Sequence, residues 1–553
     1  MWKLNRFIFK MKNSHFLKNL IMLVLGIFLG KGLYESEVTL PHFSTRLNSV
    51  LDQIEYLYVD TIDRASLEEI AVEAIVAELD PHSLYFTSDE LKAMSEPMEG
   101  GFQGIGVEFL ISDDTLMVVA ALPGGPSEGA GISAGDRILQ VDGEEISGSG
   151  LTNTRVMKLL KGEGGTKVDL VLMRSGSGDI YDVTITRARI PINSVVASFN
   201  LTEEIGYVKV IRFAATTSLE FATAMNDLVD SGTQMVVIDL RGNGGGYLKA
   251  ATDMLKLFLH AGIDIVYTEG KSSPKITYKS QFEGVFSNMP IAVLIDEGSA
   301  SASEIFAGAL QDNDRGLVIG RRSFGKGLVQ EEFEVAIDGA LRLTVARFYT
   351  PSGRPIQKPY GKDVDYKSDH NDRVESGELF HVDSIQHTDS LEYSTILGRR
   401  VYGGGGITPD VFIPLDTVGA SRDLAELVWS GALRDGAFNW VDTHRSSLDG
   451  LNGFKGLYES NVWNDPVNGG LAEMMSMYNE MMGVWPKWEE EEADIIEKRF
   501  LSQVARNLFG EEEFYRLTIQ EDEYVERAIY ELLEGQWFTL SEGRLYLSPN
   551  NTD

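Results

Sequence analysis

The sequence predicts a multidomain α/β protein whose central core is flanked by a β-rich domain and by helical segments at both ends. At 553 residues and 43% hydrophobic content, the chain is too long for a single core but can fill several. Between residues 194 and 414, apolar strand-like runs alternate with helical patterns, which is typical of a buried sheet covered by helices. Between 100 and 189, short apolar runs separated by glycines predict a β-rich domain.

These patterns divide the chain into five parts. We predict a signal sequence or membrane anchor at 1–40, a helical segment at 41–95, a β-rich domain at 96–190, a core at 191–418 and an acidic helical extension at 419–553. Acidic runs such as the one in the last part are most often solvated helix faces. The polar segment 360–398 inside the core is predicted to be a surface insertion.

The composition excludes several classes of function. A net charge of -34 argues against nucleic acid, because phosphate binding depends on Lys and Arg, and against lying flat on an anionic membrane. The chain has no cysteine, which excludes a thiol nucleophile, disulfides and thiolate metal sites. No metal and no cofactor is predicted.

The N-terminus has the layout of an export signal. A basic stretch that includes Lys3, Arg6 and Lys18 precedes the apolar run 20–30. That run is shorter than the roughly 20 residues of a comfortable membrane span, and a buried core helix would leave the basic stretch unexplained. We expect export across a bacterial inner membrane, with the protein in the periplasm or anchored facing it. Whether the segment is cleaved stays open.

A serine lies where an apolar strand meets a helix. The strand 291–295 runs into Asp-Glu-Gly-Ser-Ala-Ser301-Ala-Ser-Glu304, and a helical pattern follows. A serine at such a corner can face a cleft, where the N–H groups of the first helical turn can hold an oxyanion. The same four residues, 301–304, also form a capping box, which would give Ser301 a purely local role. Both interpretations stay open at this point.

A serine nucleophile needs a base, and the core offers no convincing His/Asp pair. Lys326, between two glycines, could serve if burial kept its amine neutral, although an ordinary surface lysine is the alternative. The window 320–327 also resembles a P-loop, but it lacks the final Ser/Thr and a strand-like pattern follows it, which disfavours an ATPase. The glycine-rich turn 242–247 fails the dinucleotide fingerprint at Tyr247.

Taken together, these windows closely resemble the carboxy-terminal processing proteases, also called tail-specific proteases. The resemblance rests on four motifs, which are Gly298–Asn313, Ser323–Gln330, Asp239–Gly246 and Gly406–Asp410. It implies a core with the crotonase/ClpP-like β-β-α architecture. It also implies that Ser301 is the nucleophile, Lys326 the general base and Gln330 the residue that orients the lysine.

The resemblance implies further roles around this dyad. The oxyanion donors would be the N–H of Ala302 and that of Gly245 or Gly246. Asp312 matches an acidic position with a supporting role, although a polar residue near a helix C-terminus is an equally good description of it.

The β-rich domain resembles the PDZ domain of the same family. The segment Gly104, Ile105, Gly106 and Val107 matches the loop whose N–H groups capture a C-terminal carboxylate before the peptide adds as a strand. The stretch 126–139 is a second PDZ-like motif that strengthens this interpretation.

The predicted function is therefore a serine endopeptidase that captures exposed C-terminal tails of proteins and cleaves upstream of them, without metal or nucleotide. The alternative is a catalytically silent PDZ scaffold, which the joint presence of Ser301, Lys326 and Gln330 disfavours. Predicted partners are protein substrates and the inner membrane, with a homo-oligomer or an adaptor left open. The sequence does not identify the substrate, the role of the acidic extension or whether the PDZ domain inhibits or activates.

Overall fold

The computed structural model describes residues 44–548 apart from 113, 147, 149, 336–338, 363, 388, 417–420, 449, 452, 466 and 489–491. The predicted signal sequence or anchor therefore lies outside the described residues. Across the described ranges, no helix combines the length and the apolar character needed to cross a membrane.

A helical pair forms a compact unit that ends at Glu78, and it contains α1 (Ser44–Leu57) and α2 (Arg64–Ala77). Asp63 caps α2 by accepting the N–H of Ala65 at 3.1 Å. The Arg64 guanidinium joins the two helices, because it pairs with Asp52 and Glu55 of α1, each at 2.7 Å. Both helices lie within the segment 41–95, for which the sequence predicts helix.

The second unit begins at Leu79 and contains all other elements. Its β-rich domain has the strands β2 (Gly101–Gly104), β3 (Val107–Ser112), β4 (Thr115–Ala121), β5 (Arg137–Val141), β6 (Glu144–Glu145), β7 (Lys167–Met173), β8 (Ile180–Thr186) and β9 (Ala188–Pro191). Helices α4 (Pro126–Gly129) and α5 (Asn153–Leu160) complete it. The main sheet has the order β3-β4-β5-β7-β8, with β6 on β5, while β2 pairs with β9. The apolar runs at 106–111, 116–121, 137–141, 168–173 and 181–186 predict strands, and the pattern at 152–161 predicts a helix; the observed bounds agree to within one residue.

The core is built on a six-stranded sheet of the order β10-β11-β12-β15-β16-β21. Its strands are β10 (Val195–Asn200), β11 (Ile205–Val210), β12 (Met235–Asp239), β15 (Ile291–Ile295), β16 (Leu317–Gly320) and β21 (Val411–Phe412). All neighbours except β10 and β11 are parallel. Parallel strands carry their helices on the faces, which is why these segments read as continuous apolar runs.

A second, antiparallel sheet has the order β1-β18-β13-β14, with β17 also paired to β18. Its strands are β1 (Leu84–Thr87), β13 (Asp264–Glu269), β14 (Ile276–Lys279), β17 (Leu328–Val335) and β18 (Gly339–Tyr349). The strand β1 corrects the prediction that 41–95 is helical throughout. Four residues are too few to show a period, and β1 is fixed by pairing with β18, far along the chain.

Three helices share one apolar core with both sheets, and they are α6 (Thr217–Asp230), α7 (Leu248–Leu255) and α8 (Ala302–Asp312). The sequence pattern predicts a helix over 248–260, but the helix ends early, at Leu255. The chain then bends so that Phe258 and Leu259 are buried, and the carbonyl of Phe258 accepts a hydrogen bond from Arg315 at 3.0 Å. A mixed α/β multidomain protein is confirmed, while the finer crotonase/ClpP-like description stays a prediction.

The acidic extension has two parts. The helical domain consists of α10 (Arg422–Ser430), α11 (Ala432–Leu448), α12 (Gly453–Ser460), α13 (Gly470–Met482) and α14 (Ala493–Phe509) around its own apolar cluster. The C-terminal segment follows, with α15 (Glu511–Thr518), α16 (Glu523–Leu533) and the hairpin β22 (Phe538–Ser541) and β23 (Arg544–Leu547). Its apolar residues, such as Tyr524 and Trp537, pack on the six-stranded sheet of the core.

The insertion 360–398 is largely irregular. It contains α9 (Asp369–Glu375) and the strand β19 (Glu392–Ser394), which pairs with β20 (Arg400–Tyr402) just beyond its end. The prediction that it lies on the surface is wrong in part, because Arg373, Glu378 and Leu379 are buried. Arg373 and Arg322 share the Glu378 carboxylate at 2.8 and 2.7 Å. Earlier in the chain, helix α3 (Ser88–Met98) lies between β1 and the β-rich domain.

Candidate active site

Ser301 lies at the corner between β15 and α8, in a backbone conformation that is rare for a residue with a side chain. Its φ is 55° and its ψ is -109°. A helix N-cap is normally extended, so this left-handed φ is not explained by capping alone. Such conformations cost about 1–3 kcal/mol and cluster at active sites. The local geometry is that of a serine held out on a sharp strand-to-helix turn.

Three serines alternate along this corner, and their environments differ. The hydroxyl of Ser299 donates to the carbonyl of Leu240 at 2.8 Å, and that of Ser303 donates to the carbonyl of Asn243 at 2.8 Å. Both side chains are fully buried, whereas Ser301 is only half-buried. Ser301 is therefore the one of the three whose hydroxyl can meet a substrate.

Glu304 connects the serine corner to the lysine loop. One oxygen of its carboxylate, Oε2, accepts the N–H of Ser301 at 2.7 Å and the N–H of Lys326 at 2.8 Å. The two backbone nitrogens therefore lie within 5.5 Å of each other, the sum of those distances. The other oxygen accepts the hydroxyl of Ser323 at 2.6 Å and the N–H of Gly325 at 2.7 Å.

The environment of Glu304 is buried and rich in donors. Burial raises the pKa of Glu304 to about 7, although its four hydrogen-bond donors work in the opposite direction. The capping-box spacing was the sequence signal for this residue, and the half of the box in which Glu304 accepts the N–H of Ser301 is present. The sequence did not indicate that the same carboxylate also holds the lysine loop.

Lys326 is half-buried, and its ammonium forms no ion pair with any residue in the described part of the chain. Burial lowers the pKa of Lys326, and the nearby Arg342 guanidinium adds to the effect, while Glu304 and Asp80 oppose it. A lysine in such a place holds a neutral amine more often than a solvated one. This is the state that a general base requires.

Gln330 lies opposite Thr344 in the β17–β18 pair. Its amide Nε2 donates to the Thr344 hydroxyl at 3.3 Å, and that hydroxyl donates to Asp80 at 3.1 Å. Gln330 thus joins a hydrogen-bonded chain that ends at Asp80, whose negative charge raises the pKa of Lys326. That Gln330 itself orients the lysine stays a prediction.

The segment from Asp80 to His82 is a part of this region that sequence reasoning missed. His82 contacts the hydroxyl of Tyr366 through Nε2 at 2.9 Å. Burial and the positive charge of Lys326 lower the pKa of His82 to about 4, so its imidazole is neutral near pH 7. Asp80-Pro81 predicts only a stop between two pieces of the chain, because nothing local connects this segment to a loop some 240 residues away.

The glycine-rich loop packs directly against the serine corner. Gly245 has a φ of +99°, and a Cβ there would lie 2.8 Å from Ser301 Cβ and 3.0 Å from Ala302 N. Only glycine permits this approach. The N–H of Gly245 donates to the Asn243 side chain at 2.9 Å. The N–H groups of Gly246 and Ala302 have no acceptor among the described residues and remain available to a ligand.

Asp312 lies at the other end of α8. Its carboxylate pairs with Arg354 at 2.7 Å, and both side chains are fully buried. It also accepts the N–H and the hydroxyl of Ser352, at 3.1 and 2.6 Å. These contacts fix the turn 351–354. They explain a buried carboxylate at position 312 without giving Asp312 a role in catalysis. The predicted supporting role stays a prediction.

The predicted carboxylate loop has free donors at the edge of a sheet. The carbonyl of Ile105 accepts the N–H and hydroxyl of Ser127, and the carbonyl of Gly106 accepts the N–H of Leu122 at 2.9 Å. The N–H groups of Ile105 and Gly106 themselves have no acceptor among the described residues. The strand that follows, β3, ends its sheet and pairs with β4 alone.

Two family models match the sequence. The model of peptidase family S41 matches residues 204–368, a range that includes Ser301, Lys326 and Gln330. A PDZ domain model matches residues 117–174 of the β-rich domain.

Individual proteins are similar over longer ranges. A carboxy-terminal-processing protease of Bartonella bacilliformis is 35% identical over 354 residues, which cover 62% of this chain and 80% of that protein. The carboxy-terminal processing protease CtpA of Bacillus subtilis is 34% identical over 314 residues, which cover 57% of this chain and 66% of that protein. The solved photosystem II D1 C-terminal processing protease is 28% identical, and the match covers 66% of this chain and 86% of that chain with a TM-score of 0.35.

Proposed function

Because this chain belongs to peptidase family S41 and is a serine-type peptidase, we propose that Ser301 is its nucleophile and Lys326 its general base. The observation that carries this proposal is the shared carboxylate of Glu304, which brings the serine corner and the lysine loop together. The strained turn at Ser301 and the lowered pKa of Lys326 support it independently.

The residues suggest the following sequence of steps. The neutral amine of Lys326 takes the proton from Ser301 Oγ as that oxygen attacks the scissile carbonyl. The N–H groups of Ala302 and Gly246 hold the oxyanion of the tetrahedral intermediate. We favour Gly246 over Gly245 because the N–H of Gly245 is already bound to Asn243. The lysine ammonium protonates the leaving amine, and water then hydrolyses the acyl-enzyme with Lys326 again acting as base.

We further propose that the β-rich domain, hereafter the PDZ domain, captures the C-terminal tail of a protein substrate. The free N–H groups of Ile105 and Gly106 would bind the terminal carboxylate, and the tail would pair with the open edge of β3. Capture of the tail leaves the chain upstream of it to enter the core. The enzyme would then act as an endopeptidase near C-termini.

We also propose that the N-terminal basic and apolar segment directs the protein across a bacterial inner membrane, where it acts in the periplasm or anchored to the membrane. The support is the charge and hydropathy pattern of residues 3–30. Protease treatment of spheroplasts should degrade the core of the protein while it spares a cytoplasmic marker. Survival of the core under that treatment would contradict export.

The direct test of the catalytic proposal is the pair Ser301→Ala and Ser231→Ala. Ser231 is an exposed residue at the end of α6 whose hydroxyl bonds to Asn200 and the Leu228 carbonyl, and its substitution serves as the control. Ser301→Ala should abolish cleavage of a tailed substrate and leave binding of its C-terminal peptide unchanged, while Ser231→Ala should change neither. Cleavage by pure Ser301→Ala protein at the wild-type rate would refute the assignment.

A further inference from the structure

The groove beside β3 continues past the PDZ domain. A peptide that adds to β3 with its carboxylate at Gly106 runs antiparallel to the strand, so its upstream residues point toward Ser112. Helix α5 lies on the other side of this groove. The C-terminal end of α5 is beside the carboxylate loop, since an added Cβ on Gly104 would lie 3.6 Å from the Leu160 carbonyl. The start of α5, at Asn153, marks the upstream end.

A cavity of about 450 Å³ occupies this upstream end. On the PDZ side it is lined by residues 108–111 of β3 and 151–153 at the start of α5. On the opposite side it is lined by the helical domain, through α11 and α14. The residues of that wall are Arg434, Asp435, Phe438, Arg506 and Asn507. The groove is thus enclosed by a domain that is not part of the PDZ fold.

The helical domain is held in this position by contacts on two sides of the PDZ domain. Asp442 of α11 pairs with Arg137 at 2.7 Å and accepts the hydroxyl of Ser175 at 3.1 Å. Gly135, with a φ of +87°, leaves no space for a side chain between itself and Asp442. On the groove side, Arg506 of α14 pairs with Glu108 of β3 at 3.2 Å.

The wall is polar but carries little free charge. Arg434 pairs with Asp435 at 2.7 Å, and Arg506 pairs with Glu511 at 2.6 Å as well as with Glu108. Phe438 adds an apolar surface, and it is buried. Such a wall offers hydrogen bonds and apolar contact, whereas it has no unpaired charge with which to attract a charged residue.

We infer that the helical domain forms the second wall of an extended tail-binding cleft and selects substrates by the residues upstream of the last four. This inference rests on the tail capture proposed above. At about 3.3 Å per strand residue, the fifth and sixth residues from the C-terminus lie about 13–17 Å from the carboxylate loop, beside residues 110–111 of the cavity lining. The ligand is an extended peptide with a free C-terminus and uncharged residues at those upstream positions.

The test compares two peptides that share their last four residues, one of four residues and one of nine with uncharged upstream residues. Binding is measured by calorimetry on full-length Ser301→Ala protein, which cannot consume them if the catalytic proposal holds. The nine-residue peptide should bind about tenfold more tightly than the four-residue peptide. Equal affinities would overturn the inference and leave tail capture intact. If amidation of the C-terminus changed neither affinity, tail capture itself would be refuted.

Two substitutions assign the extra affinity to the helical domain. Asn507→Trp fills the cavity from the α14 side, and Arg434→Ala removes an exposed part of the wall. Both substitutions should lower the affinity for the nine-residue peptide toward that for the four-residue peptide. Neither should change the affinity for the four-residue peptide. Arg422→Ala, an exposed arginine of α10 outside the cavity, is the matched control and should have no effect. A length advantage that survives both substitutions would overturn the role of the helical domain.

Discussion

The buried ion pair between Asp312 and Arg354 separates a structural role of Asp312 from a chemical one. Asp312→Asn keeps the shape and an acceptor for Ser352, but it leaves the Arg354 guanidinium buried without its counter-charge. Removal of one partner of such a pair costs about 3–5 kcal/mol of folding free energy. We expect a loss near the lower end, because Arg354 keeps its hydrogen bonds to Gln311 at 2.7 Å and to the Tyr402 carbonyl at 2.9 Å.

The second substitution, Arg354→Gln, should restore part of that loss. A glutamine amide carries no charge and can still donate to one of the two remaining acceptors, so the double variant should lie about 1–2 kcal/mol below wild type. The assays are thermal inactivation and near-UV circular dichroism, followed by cleavage of a tailed substrate well below the transition. If Asp312 is structural, the folded double variant cleaves at a rate close to that of wild type. A double variant that is folded but more than 100-fold slower would refute the reasoning and give Asp312 a part in the chemistry.

Three further predictions concern the dyad, its shared carboxylate and tail capture. Lys326→Arg should be inactive because guanidinium stays protonated, and retained activity of the variant would contradict the lysine base. The wild-type kcat/KM should rise with pH through an inflection below 10.5, because burial lowers the pKa of Lys326. Because the pKa of Glu304 is raised in the folded protein, its carboxyl keeps a proton between pH 4.5 and about 7, whereas the unfolded chain releases that proton. The contribution of this proton to folding stability is therefore lost as pH rises through that window. Urea unfolding should show the stability of wild type falling by roughly 3 kcal/mol relative to Glu304→Gln over that range, and a constant difference would contradict the assignment. Amidation of a substrate tail should raise KM, because the N–H groups at Ile105 and Gly106 lose a charged acceptor, and an unchanged KM would exclude carboxylate capture.

Much of the fold could be predicted from local patterns. The strands 235–239, 291–295 and 317–320 are buried on both faces of a parallel sheet, so their sequences are almost entirely apolar, with Asp239 as the charged exception. The alternating run that follows Lys326 is the strand β17, as expected from its period.

What the sequence could not predict depends on long-range packing. The amphipathic pattern of α16 indicates a buried face, but nothing in it says that this face packs on the core sheet. The insertion 360–398 is polar enough to resemble a surface segment, yet two of its charged residues, Arg373 and Glu378, are buried, and their pairing with each other lowers the cost of that burial.

The same limit applies to the site. The motifs place Ser301 and Lys326 on two loops, yet their approach depends on a carboxylate, Glu304, whose spacing indicates no more than a helix cap. The contribution of Asp80 depends on the register between β17 and β18, which sets Thr344 opposite Gln330.

The measurement that tests the central claim most directly is covalent labelling with a fluorophosphonate probe, with the modified residue located by peptide mass spectrometry. Ser299, Ser301 and Ser303 lie in one peptide, and the two outer hydroxyls are buried and bound to backbone carbonyls. A Ser/Lys enzyme with this geometry should carry the adduct on Ser301 alone, and the rate of labelling should fall sharply in Lys326→Arg. An adduct on another serine, or labelling at the same rate without Lys326, would contradict the mechanism.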